Sequence, residues 1–157
     1  MPLPEALQNL PDAQALAAFD DAIITGGKFD RNEWTIEVDA AKIVGALDFL
    51  RVEGGYNLLA DLTATDSFPT EPRFWVVYHL YSISKHQFLR IKASVSGESA
   101  EIDTATVVWP AAGWHEREVF DLFGIRFNGH PDLRRIVLPD NWEGYPLRKD
   151  YPTEGPR

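Results

Sequence analysis

Cysteine is absent from the 157 residues, which excludes disulfides, thiolate metal sites and iron-sulfur ligation through cysteine. A long apolar run is also missing: nothing approaches the roughly eighteen residues that a membrane span needs. Nor does a basic stretch precede an apolar one as in a signal peptide. Positive charge is scarce. Fifteen Lys and Arg against 24 Asp and Glu give a formal charge of -9, which argues against a nucleic-acid or anionic-membrane binder. No GxGxxG or Walker-type loop, repeat or low-complexity tract occurs, so no motif marks a nucleotide site. What is present, 45% hydrophobic residues with nine Phe, five Tyr and five Trp, suits one soluble, cytoplasmic domain with an aromatic-rich core.

Apolar spacing from Leu3 to Ile24 predicts two short helices broken at Pro11-Asp12, with Asp12 capping the second. Ile24 to Phe29 and Trp34 to Val38 read as strands around a turn. Asp39 then N-caps a helix from Ala40 to about Arg51, with Ile43, Val44, Leu47 and Leu50 facing the core and Gly54-Gly55 ending it. Tyr56 to Thr65, Arg73 to Ser84 and Gln87 to Ser96 are three further strands, the last two an antiparallel hairpin over Ser84-Lys85-His86. Alternation places Asp61, Thr63 and Thr65 on one solvated face rather than around a metal, and makes His79 and His86 sheet-surface or turn residues. Gly97 to Asp103 reads as an acidic surface turn. The expected fold is α+β: a small, three- or four-stranded, mainly antiparallel sheet with helices packed on one side.

The stretch Trp114 to Val137 carries the most information. Trp114, Val119, Phe120, Leu122 and Phe123 recur at helical spacing, and Gly124 sits where a left-handed C-cap belongs, with Ile125 closing over the last turn. His115-Glu116 begins like HExxH but fails, because Val119 stands where the second histidine is required. Glu116, Glu118 and Asp121 would be an acid/base set only inside a pocket; the simpler reading is a solvated or partner-facing charged face with Arg117 paired to Asp121. His130, before Pro131, reads as a turn histidine satisfied by backbone.

From residue 128 to 157 the chain changes character. Pro131, Pro139, Pro146, Pro152 and Pro156 forbid long helices and paired strands, while Leu133, Leu138, Trp142 and Tyr145 still require burial. The division is therefore a domain over 1–127 and an extended Pro-rich arm over 128–157, which either folds back or lies in a partner's groove. Composition favours folding back.

Glu116, Arg117, Glu118, Asp121, Leu122, Phe123, His130, Arg134, Ile136 and Val137 resemble the signature of the 30-kilodalton-type subunit, or C subunit, of proton-pumping NADH:quinone oxidoreductase, respiratory complex I. Residues 141–152, from Asn141 to Pro152, resemble that family's ending. The resemblance implies a non-catalytic scaffold subunit of the hydrophilic arm, with no cofactor of its own and with FMN, iron-sulfur clusters and quinone held by other subunits. It implies a place on the cytoplasmic side of the bacterial cell membrane, packing against the 49-kilodalton-type quinone-site subunit, and so shifts the arm toward a partner. It assigns Glu116, Arg117, Glu118, Asp121, His130, Arg134 and Arg135 to interface or fold-stabilising ion pairs, with Trp142, Tyr145, Arg148 and Lys149 as further partner contacts. A short tail and no presequence suit a bacterial form. The alternatives are the equivalent subunit of a membrane-bound hydrogenase or of a ferredoxin-driven photosynthetic complex, a small enzyme using Asp61, His79 or the Glu116 to Asp121 carboxylates, and a free-standing protein-binding module.

Overall fold

The computed structural model describes residues 2–154; Pro156 and Arg157, assigned from the sequence to an extended arm, lie outside the described residues. A single-turn helix, Glu5–Leu7, precedes α1, Pro11–Phe19. Pro11 occupies the first helical position, where its missing N–H costs nothing, so the N-cap falls on Leu10. Asp12 is therefore not the cap expected from the sequence. It is buried one residue inside, where its carboxylate accepts from Tyr56 Oη at 2.8 Å and pairs with Lys85 Nζ at 2.7 Å.

Five strands form the main sheet: β1 Ile24–Asp30, β2 Glu33–Val38, β3 Leu58–Asp66, β4 Phe74–Ser82 and β5 Gln87–Val95, in the order β1-β2-β5-β4-β3. Three of the neighbouring pairs are antiparallel, and β2 runs parallel to β5. The sheet is thus larger than the three or four strands expected, and mixed. A helical crossover is the cause: Asp39 caps the single turn Ala40–Lys42 through Ala41 N–H, α2 (Ile43–Val52) follows, and β3, β4 and β5 then bring the chain back beside β2. Ile43, Leu47 and Leu50 are buried as expected, with Ala46, whereas Val44 is only half-buried. Gly55, at φ 75°, turns the chain out of α2.

The predicted acidic turn at 97–103 is half a turn only. Its second part is β6, Glu101–Asp103, which pairs in parallel with β7, Arg126–Asn128, and buries Ile102. Between them lies α3, Ala112–Phe123.

Along β4 the side chains of Phe74, Val76, Tyr78 and Leu80 join one core with Leu16, Ile43, Leu47, Leu50, Val119 and Phe123 of the helices. Val77 falls outside that core, because alternation turns it to the other face. All three helices therefore cover one side of the sheet. No helix among the described residues covers the opposite face.

Candidate partner-binding site

α3 carries Glu116, Arg117, Glu118 and Asp121 on adjoining turns. A solvated charged face is not what forms: Glu116 and Asp121 are 0% exposed and Arg117 is 8% exposed, and only Glu118 faces solvent. The reason lies in what the rest of the chain brings to that helix. Arg117 does not pair with Asp121 but donates Nε to Arg134 O at 3.1 Å and Nη2 to Arg135 O at 3.0 Å. One Asp121 oxygen, Oδ2, accepts from the backbone N–H groups of Ile136, Val137 and Leu138 at 3.0, 2.7 and 2.9 Å. The other, Oδ1, pairs with Arg135 Nη1 at 2.7 Å. Burial alone pushes this carboxyl up, yet the three N–H groups and the Arg135 guanidinium outweigh it and hold it below the ordinary aspartate value.

Arg135 is the hub of this anchorage. It also donates Nη2 to Trp142 O and Gly144 O, both at 3.1 Å, and stacks its guanidinium over the Tyr145 ring at 5.2 Å. Beyond it, Leu147 N–H reaches Leu122 O at 3.0 Å and Arg148 donates Nε to Phe123 O at 2.6 Å, closing the carbonyls that the end of α3 leaves open. Arg148 lies between the rings of Phe74 and Tyr145, 5.2 and 4.8 Å from their centroids. Gly124 is required at this junction twice over: its φ is 74°, and a Cβ there would stand 2.6 Å from the Tyr145 ring.

Glu116 makes the opposite kind of site. It accepts from Thr104 Oγ1 and from Ala105 N–H at 3.0 Å, tying α3 to the segment after β6. Burial dominates here and raises its carboxyl above the ordinary glutamate value, against those hydrogen bonds and the nearby His130. His130 itself is held by backbone on both nitrogens, Nε2 donating to Gly113 O and Nδ1 accepting from Asp132 N–H, each at 2.9 Å. This is the backbone-satisfied turn histidine that the sequence suggested.

Two residues outside the sequence signature complete the anchorage. Asp66 and Arg73 form a bidentate pair at 2.9 Å, with the Asp66 side chain 1% exposed, and Asp66 Oδ2 also accepts from Lys149 N–H at 2.8 Å. Arg73 reaches on to Asp150 at 2.7 Å. Burial raises Asp66, but Arg73 and the N–H groups of Lys149 and Phe68 prevail and lower it to about 2. The sequence does hold a signal for Asp66: it shares the core-facing parity of Leu62 and Ala64, which a solvated aspartate would not. For Arg73 there is none, since one of its partners comes from far along the chain.

The remaining candidates stand outside. Arg134 pairs with Asp132 at the surface with 68% of its side chain exposed, and the Lys149 side chain is likewise exposed. Trp142 and Tyr145 are half-buried. Trp114, Ile136, Val137 and Leu147 are between 40% and 62% exposed, large apolar side chains on α3 and on the segments tied to it. Asp61 and His79 are opposite each other across β3 and β4, on the uncovered sheet face; Asp61 stands 3.5 Å from His115 of α3, but the depression that Asp61 and His79 line includes neither of the buried Glu116 and Asp121, so the carboxylates imagined for a small enzyme are not gathered in one pocket. No group of three or more His, Asp or Glu among the described residues is placed to hold a metal. No helix among them is long and apolar enough to cross a membrane.

Residues 36–157 match the family described as respiratory-chain NADH dehydrogenase, 30 Kd subunit. The NADH-quinone oxidoreductase C subunit of Geobacter metallireducens is 53% identical over 127 residues, covering 80% of this chain and 78% of the relative. The C subunit of the same oxidoreductase from Cereibacter sphaeroides is 43% identical over 155 residues, covering 98% and 76%. Among solved structures, the trypsin-resistant fragment of Nqo5 superposes with a TM-score of 0.64 at 30% identity, over 69% of this chain and 89% of that one. A chain of an archaeal respiratory membrane complex, the membrane-bound sulfane sulfur reductase, gives 0.72 at 29% identity, over 89% and 83%. With the signature residues of α3 and of residues 130–137 in place on a matching α+β fold, the chain belongs to the respiratory-chain NADH dehydrogenase 30-kilodalton subunit family.

Proposed function

We propose that the chain serves as the 30-kilodalton-type subunit of a proton-translocating NADH:quinone oxidoreductase, in the peripheral arm, supporting electron transfer from NADH to quinone without catalytic residues or a cofactor of its own. FMN, iron-sulfur clusters and quinone belong to its partners on this reading, and the complex sits on the cytoplasmic side of the bacterial cell membrane. The observation that carries it is the use of the signature charges. Glu116, Arg117, Asp121 and Arg135 are consumed in holding residues 134–145 and the segment after β6 against α3, which leaves none of the four free for chemistry. What that anchorage presents outward is apolar: Trp114, Ile136, Val137 and Leu147. Such side chains on a rigid backbone suit a permanent protein interface.

The partner on this reading is the 49-kilodalton-type quinone-site subunit, met by these side chains together with Lys149 and the exposed part of 128–157. The Geobacter and Cereibacter relatives are both NADH-quinone oxidoreductase subunits, which favours this assignment over a hydrogenase-type or photosynthetic complex. The test is an N-terminal tag, gentle solubilisation of the membranes and assay of the eluate. Peripheral-arm subunits with NADH:quinone reductase activity are expected, and a Trp114→Asp, Val137→Asp double variant, unchanged in melting temperature, is expected to lose them. Recovery of the chain alone and monomeric would overturn the proposal.

A further inference from the structure

The sheet face opposite the helices holds two adjoining depressions that meet at His79 and Arg90. One, of about 370 Å³, is walled by Trp34, Ala60, Phe88 and Leu89. Phe88 is 60% exposed and leans on Tyr81 at 4.5 Å between ring centroids, an exposed aromatic that a water-facing sheet surface does not require. The other, of about 320 Å³, is lined by Lys28, Lys92 and the hydroxyl-bearing Thr35, Thr63 and Thr65.

Register brings the cations together. Lys28 lies opposite Thr35, Thr35 opposite Arg90 and Arg90 opposite His79, while Lys92 lies opposite Val77 two residues along β5. On a chain of formal charge -9, this is an uncommon gathering. The acids of the same face do not neutralise it. Glu33 is taken by Arg90 at 2.7 Å, Asp61 stands 3.5 Å from His115, and Glu37, opposite Lys92, and Asp30, opposite Glu33, form no ion pair with either lysine. Among the described residues neither Lys28 nor Lys92 has an ion pair; Lys92 rests its ammonium over Trp75 at 4.8 Å. Burial depresses Lys92; the attraction of Glu37 opposes it, and repulsion from Lys28 and Arg90 adds to burial.

We infer that this face is a second docking surface, which receives from a neighbouring protein of the assembly a segment with a large apolar side chain next to one or two carboxylates. The apolar side chain fills the depression beside Phe88, and the carboxylates pair with Lys28 and Lys92 and accept from the threonine hydroxyls. Charge complementarity selects this occupant: an acidic chain repels acidic partners in general, so a cleft on it with two lysines outside any ion pair is specific for a carboxylate brought by a partner already held elsewhere. The two sockets side by side favour a polypeptide over a small anion, which would use the basic half alone.

The inference rests on membership of an assembly, and its test separates the two. The tagged full chain is recovered within the assembly and also free, both are acetylated with an amine-reactive reagent, and lysine modification is read by mass spectrometry, with Lys42 and Lys85, ion-paired elsewhere on the domain, as internal references. Lys28 and Lys92 are expected to be several-fold less modified in the assembly than in the free chain, and a zero-length carbodiimide cross-link is expected from one of them to Asp or Glu of another protein. Full modification of both lysines in an assembly that has formed overturns the docking surface alone. If that result comes with inorganic phosphate shifting the Lys92 and Arg90 resonances of the free chain, the site is a small-anion site instead. Failure of the chain to co-purify with any partner overturns the assembly and the docking surface together.

Discussion

The sheet with its helices and the segment from residue 130 to 150 are held by different forces. The first is an apolar core in which Phe74, Tyr78, Leu47 and Leu50 are fully buried, so its stabilisation grows with buried area. The second contains no helix or strand after Asn128 among the described residues and is fixed by a few charged side chains satisfying backbone groups: Asp121, Arg117, Arg135, Arg148 and Asp66. Polar anchorage of that kind has steep consequences, because removing one partner leaves others buried and unpaired. It also gives a proline-rich segment a definite shape that no backbone ladder provides.

The sharpest way to break the comparison is Asp121→Ala. It strands Arg135 and three backbone N–H groups at once, and about 3–5 kcal/mol should be lost. Limited proteolysis should cut between residues 130 and 150 while far-ultraviolet circular dichroism of the domain persists. Global unfolding instead would show the two regions to be one cooperative unit. Arg73→Ala should follow at about 3 kcal/mol in urea melts, since Asp66 is left as an uncompensated carboxylate beneath Lys149.

Acid sharpens the same contrast. Asp66 falls from the ordinary value of 3.8 to about 2 in the folded chain, so its contribution is fully present above pH 3.8 and fades as pH falls toward 2. That contribution is about 2 kcal/mol. Asp121 and Asp150 are lowered too and act in the same direction. Glu116, which is raised, acts in the opposite one, favouring the fold at the acid end. Urea midpoints of Asp66→Asn and the parent between pH 5 and about 2 should converge on acidification, whereas parallel curves would contradict the assignment.

Gly124→Ala should cost about 1–2 kcal/mol in melting experiments, from positive φ and from the crowding of Tyr145. The smallest effect belongs to the core: Tyr78 Oη is buried without a hydrogen-bond partner, so Tyr78→Phe should change stability by less than about 1 kcal/mol and in the stabilising direction.

Local pattern was enough to read α3 and its glycine cap, α2 with its core stripe, the hairpin of β4 and β5 and the alternation that sets Asp61, Thr63 and Thr65 on the uncovered face, because each depends on side chains a few residues apart. The quoted signature and closing residues likewise sufficed to identify the family. The parallel pairing of β2 with β5, the pairing of β6 with β7, and the roles of Asp12, Asp66 and Arg73 were not legible. Each joins residues that only the folded topology brings together. The same holds for α3. Its sequence determines that the helix is amphipathic and charged, whereas only the tertiary structure decides that Glu116, Arg117 and Asp121 are buried. They are tolerated there because Thr104, Ala105 and the backbone from Arg134 to Leu138 supply the hydrogen bonds that water would otherwise have made.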